Sequence, residues 1–96
     1  LFCQMIEAVD LMIRNALVAF SSINQELAEL VVAQDDNIDA MNLSLIHALV
    51  KRTEEAPEEA DSCITQVLIT RNLERIGDLC TNIADEVISY AKGCMI

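Results

Sequence analysis

Ninety-six residues, 53% of them hydrophobic but only 3% aromatic, with two Gly and one Pro, form an aliphatic chain with little turn material. That composition excludes an all-β fold, collagen-like repeats and intrinsic disorder, and the length suits one domain around one core. Six Lys and Arg against sixteen Asp and Glu leave a net charge of −10, which excludes nucleic acid and anionic membrane surfaces as direct partners and favours cations and basic protein surfaces.

Apolar residues recur at alternating spacings of four and three in three stretches, the pattern of helices packed side by side. The first stretch, over residues 1–21, runs through Phe2, Ile6, Val9, Ile13, Ala16 and Phe20. Ser21, Ser22 and Asn24 then offer N-cap oxygens, and Glu26 places an acid at a helix start. A second helix is therefore predicted over 25–54, with a seam of Leu27, Val31, Gln34, Ile38, Met41, Leu45 and Ala48, in which only Gln34 is polar. Lys51 and Arg52 suit its C-terminus. Pro57, flanked by Glu54, Glu55, Glu58 and Glu59, opens a third helix over 57–92. Its seam is Ile69, Leu73, Ile76, Cys80, Ile83, Val87, Tyr90 and Cys94, and Gly93 holds the place of a left-handed C-terminal cap. Three amphipathic helices on short connections bury their stripes by folding back on one another. The predicted fold is an all-α, antiparallel up-down-up three-helix bundle, a single domain over residues 1–96.

The longest apolar runs fall well short of the ~18 residues of a membrane span, so this segment is not expected to insert. The chain begins at Leu1 rather than Met and is expected to be a piece of a longer protein. Cys3, Cys63, Cys80 and Cys94 form no CxxC pair and have no histidine cluster beside them. They are expected to be buried thiols of a reduced, cytoplasmic protein rather than a zinc or redox site. His47 is the only histidine and no Glu-x-x-His pair exists, which removes a ferritin-like di-iron centre. With no base beside a Ser or Cys and no Gly-rich phosphate loop, the chain reads as a binding module and not an enzyme.

The chemistry lies in the acids. Glu74, Asp78, Asn82 and Asp85 follow one another at spacings of 4, 4 and 3, within an arc of roughly 80° on one helix face. Asp35 and Asp39 are four apart on the second helix. Like charges at that spacing cost ~0.2–0.5 kcal/mol per pair, so the stacking calls for a cause. With the chain reversing near residue 56, the midpoint of Asp35 and Asp39 lies 19 residues before the turn and that of Glu74 and Asp78 lies 20 after it. In an antiparallel hairpin the two pairs then stand within ~2 Å of one height. Oxygen donors without His or Cys favour Mg²⁺, Mn²⁺ or Ca²⁺, with iron or zinc in a multinuclear site. The plainer alternative is a solvated face on which Arg71 pairs with Glu74 and Arg75 with Asp78. Gly77, inside the third helix, marks close approach of either a neighbouring helix or a ligand.

The run Arg71-Asn72-Leu73-Glu74-Arg75-Ile76-Gly77-Asp78-Leu79-Cys80-Thr81-Asn82-Ile83-Ala84-Asp85 resembles the signature of the PhoU family of phosphate-uptake regulators. Ala16-Leu17-Val18-Ala19-Phe20 resembles its AL-x-AF element, and Asp35-Asp36-Asn37-Ile38-Asp39 its D-x-x-[IV]-D. The likeness covers roughly residues 5 to 93. It implies one of the family's two tandem three-helix repeats, the second of the pair. It further implies that Asp35 with Asp39, and Glu74 with Asp78, are acidic motifs holding a metal ion; by the donor chemistry above, a divalent ion is expected, Mg or Mn ahead of Fe or Zn. Asn82 and Asp85 match the polar positions that follow, although Asp85 stands where Glu is usual. The implied partners are a phosphate ABC transporter ATPase and a sensor histidine kinase, met on the cytosolic side to repress transport and the phosphate-starvation response. Related domains form cytosolic parts of sodium-phosphate cotransporters, which is the alternative role, beside that of a metal-free helical adaptor. A single repeat is also expected to form a homo-oligomer that rebuilds the pair.

Overall fold

A computed structural model describes residues 2–94, with every side chain among them except that of Cys94. Three α-helices follow in order: α1 (Phe2–Ser22), α2 (Gln25–Glu55) and α3 (Ala60–Cys94), with a single 3-10 turn at Pro57–Glu59 before α3. Each packs against both others in a slender antiparallel bundle measuring 59 × 16 × 16 Å between Cα atoms. The predicted architecture is the observed one, with helix bounds shifted by at most three residues.

The turns follow local chemistry. Asn24 caps α2, its side-chain oxygen accepting from the Leu27 N–H at 3.1 Å, which satisfies one of the free donors of the first turn. Ser21 and Ser22 play no such part: their hydroxyls donate backwards to the Val18 carbonyl. α1 stops because Ile23 enters the left-handed region at φ 48°. The Asn24 N–H then reaches the Ala19 carbonyl at 2.9 Å and the Ile23 N–H reaches that of Phe20 at 3.3 Å, the paired bonds of a Schellman ending. At the other end, the Ala56 N–H closes on the Arg52 carbonyl, and Arg52 pairs with Glu59 at 2.9 Å across the turn. Gly93 corrects an expectation. No glycine has a positive φ, because α3 runs on through Gly93 to Cys94 instead of capping there.

The core follows the predicted seams at Val9, Ala16, Val31, Ile38, Leu45, Cys80 and Val87, all buried, and departs from them at a few positions. On α1 the buried residues are Met5, Val9, Met12, Ala16 and Ala19, whereas Ile6 and Phe20 are exposed. On α2, Ala28 and Leu49 are buried while Ala48 is exposed; on α3, Thr70 is sealed where Ile69 and Tyr90 lie open. The expected seam position of Cys94 lies outside the described residues. Neighbouring apolar positions sit ~100° apart, so either can face inward, and the available width decides. Ala16, Ala19, Ala28, Gly77 and Ala84 line the interior and let the backbones approach closely, which moves bulkier neighbours to the flanks. Met5, Met12 and Ile38 fill what space remains and are the largest fully buried apolar side chains, each stabilising the fold by ~1.5–3 kcal/mol. Gln34, the polar break, is satisfied across the bundle: the Asn15 amide donates to it at 3.3 Å.

Of the cysteines, Cys63 and Cys80 are buried free thiols as expected, but Cys3 is exposed, since the inward direction at that end of α1 belongs to Met5. His47 is exposed, at the rim. Finally, α2 is ten residues longer than α1. Beyond the start of α1, the far ends of α2 and α3 therefore pair with each other alone over ~15 Å.

Candidate metal centre

The hairpin of α2 and α3 sets the height of its acids. Asp35 Oδ1 lies 3.5 Å from where a Cβ on Gly77 would stand, with Ile38 Cγ2 at 3.6 Å and Met12 Sδ at 3.8 Å. Asp35 of α2 is therefore level with the interval between Glu74 and Asp78 on α3, as the residue count predicts. A methyl at Gly77 would meet ordinary van der Waals contacts, so the glycine is not demanded by helix packing alone. Its absent side chain leaves the Asp35 carboxylate a bare stretch of α3.

Burial differs along the cluster. Asp35 and Glu74 are half-buried at the α2/α3 seam, while Asp39, Asp78, Asn82 and Asp85 are exposed. Asn82 and Asp85 stand ~6 and ~10 Å further along α3 than Asp78. Asp35, Asp39, Glu74 and Asp78 are thus brought to one waist of the bundle, and the last two lie along the helix from it. Partial burial and then the charges of Asp39, Asp78, Asp36 and Glu74 push the Asp35 carboxyl above its ordinary range. Burial, followed by the Asp35 charge, raises the Cys80 thiol as well.

Two oxygens at this waist lack what their chemistry asks for. Asp35 Oδ1 and Asn42 Oδ1 are sealed from solvent and accept no hydrogen bond, a state that costs ~1–3 kcal/mol per group. Asn42 meanwhile donates its amide to Glu74 Oε2 at 2.6 Å, holding that carboxylate against α2. Sequence reasoning missed Asn42, although it lies seven residues after Asp35 and three after Asp39, on the same helix face. Nor does a side-chain cation relieve the acids. Ion pairs among the described residues join Arg14 to Asp10, Lys51 to Glu55 and Arg52 to Glu59, while Arg71 and Arg75 form none with Glu74 or Asp78. The donors are hard oxygens with unmet demand, and they suit a divalent cation in kind. In spacing they stop short, since no three His, Cys, Asp or Glu side chains among the described residues are gathered tightly enough to hold one ion.

Comparisons with known proteins point to a single family. A PhoU domain model matches residues 2–87. A phosphate-specific transport system accessory protein PhoU homolog of Zymomonas mobilis is 36% identical over 87 residues, covering 91% of this chain and 37% of that protein. Its namesake from Xylella fastidiosa is 33% identical over 81 residues, covering 84% of this chain and 34% of that protein. The Escherichia coli PhoU accessory protein is 28% identical over 82 residues, covering 85% and 34%. The chain thus spans about a third of the length of the curated relatives it matches. No solved structure matches it significantly. Among the described residues, no helix is long and apolar enough to cross a membrane.

Proposed function

The chain belongs to the PhoU family, and from that premise we propose that it is a regulatory module of phosphate uptake that works by binding and not by turnover. Its relatives carry the name of phosphate-specific transport system accessory proteins. On this reading a divalent metal ion, Mg²⁺ or Mn²⁺ ahead of Fe or Zn, sits at the waist between α2 and α3. The loaded bundle then meets the ATPase of a phosphate transporter and a sensor histidine kinase in the cytoplasm, repressing both uptake and the starvation response. A second copy or a second repeat completes the assembly.

The observation that carries the metal reading is Asp35 Oδ1: a sealed carboxylate oxygen without a donor, facing the bare backbone of Gly77 and crowded by four other acids. Asp35 and Glu74 would supply the inner oxygens, Asp39 and Asp78 the outer ones, and Asn42 would keep Glu74 in place. The ion would supply the positive charge that these acids lack. Side-chain movement of the exposed Asp39 and Asp78 has to close the donor set, because the described geometry leaves it open. That open spacing also favours a second reading, a metal-free adaptor whose acids address a basic partner.

Elemental analysis and a Mn²⁺ titration separate the two. At 100 times its dissociation constant a bound ion stabilises the fold by ~2.7 kcal/mol, a rise of 10 °C or more in Tm for a chain of this size. Wild type should show that rise, and the Asp35→Asn, Asp78→Asn double variant should not. An unchanged melt with no metal in the purified protein would leave the adaptor. For the regulatory role, deletion of the gene should raise phosphate uptake when phosphate is ample, and unaltered uptake would refute it.

A further inference from the structure

A groove runs between α1 and α3 from the acidic waist toward the α1–α2 turn. Leu17, Phe20, Ile23, Val87 and Tyr90 line it, with Glu86 on its wall. Phe20 is 61% exposed, Tyr90 59% and Leu17 56%, so two of the chain's three aromatic side chains lie open in one place. Aromatic residues gathered in a concave apolar patch are the usual anchors of a protein interface. Ile23 adds an independent sign. It holds φ 48°, a backbone region in which a β-branched residue is strained and glycine is not. Strain of this kind gathers at binding sites.

The charge around the groove selects the occupant. The adjoining recess over the turn is lined by Glu26 and Glu29, and neither it nor the groove has a Lys or Arg among its lining residues. A second copy would bring another net charge of −10 to the same place. We propose that this groove docks an amphipathic helix of a partner protein, its apolar stripe on Phe20, Ile23 and Tyr90 and its Lys or Arg side chains toward Glu26, Glu29 and Glu86. This inference does not rest on the metal reading: on α3 the groove runs from Ile83 to Tyr90, 6 to 13 residues or roughly 9–20 Å along the bundle from Gly77.

The chain supplies its own reporter, because Tyr90 is the single tyrosine and there is no tryptophan. The probe is a 14-residue Leu/Lys amphipathic helix without tyrosine or tryptophan, titrated while tyrosine emission is followed. Wild type should give a saturable one-to-one change. Phe20→Ser and Leu17→Ser leave the net charge untouched and alter exposed side chains, so both should keep the wild-type circular dichroism yet bind at least ~10-fold more weakly. A version of the peptide with Glu in place of Lys should not bind. Equal binding by wild type and Phe20→Ser would show general charge attraction and overturn the proposal. Binding of the Glu peptide would overturn it too, as would sedimentation of wild type as a dimer that Phe20→Ser dissociates, since the occupant would then be a second copy.

Discussion

Asp35 ties together burial, charge and pH. Its carboxyl is held above the ordinary value near 3.8 by partial burial and four acidic neighbours, so the folded chain takes up this proton more readily than the unfolded one. The ionised group therefore destabilises the fold fully above its folded pKa, and the penalty fades as pH falls through that value toward 3.8. In metal-free buffer at pH 7, Asp35→Asn should raise stability by ~0.5 kcal/mol or more, the size of a relieved like-charge pair. Urea melts at pH 7 and pH 4 should show the gain shrinking at the lower pH. The Ile23 backbone, at φ 48°, predicts a second gain: Ile23→Gly should stabilise by ~0.5–1 kcal/mol by removing strain, while weakening peptide binding in the groove. Individual residues were the least legible part of the sequence. The acidic spacing located Asp35, but it gave no hint that its oxygen would lack a donor, because that depends on Ile38 and Met12 packing around the same glycine.

At the scale of a helix, sequence and structure nearly coincide. Asn24 is the cap that its chemistry suggests, and Pro57 begins a 3-10 turn before the α-helix is established, which accounts for the three-residue shift at the start of α3. What the heptads misplaced was the rotation at a few positions, most of them toward the helix ends. They assigned Ile6 and Phe20 to the interior, where Met5 and Ala19 lie, because periodicity constrains the repeat more tightly than the direction in which the stripe points. Gly77 combines both lessons. A methyl there meets atoms at 3.5 Å or more and removes a helix-interior glycine, so Gly77→Ala should stabilise the metal-free protein by ~0.5–1 kcal/mol. The same methyl occupies the bare backbone opposite Asp35, so the variant should lose most of the Mn²⁺-dependent rise in Tm. A full rise in Gly77→Ala would place the ion elsewhere.

The whole molecule is a rod with a charge of −10, and its self-repulsion opposes folding. Raising NaCl from 20 to 200 mM screens exposed charges and should increase Tm by a few degrees; a fall in thermal melts would show that ion pairs such as Arg14 with Asp10 and Arg52 with Glu59 outweigh the surplus acids. The hairpin arithmetic that set Asp35 level with Gly77 works because two long helices reverse at one tight turn, which is why the waist was legible and the groove was not. The groove depends on α1, whose rotation periodicity left open. The shortness of α1 also divides the rod unevenly. Where α2 and α3 continue without a third neighbour, their facing side chains are sheltered from one side only, so that end is where the molecule would begin to unzip. Heat or force would splay this two-stranded tip first, in a graded opening that leaves the three-stranded remainder, with the acidic waist inside it, closed until last.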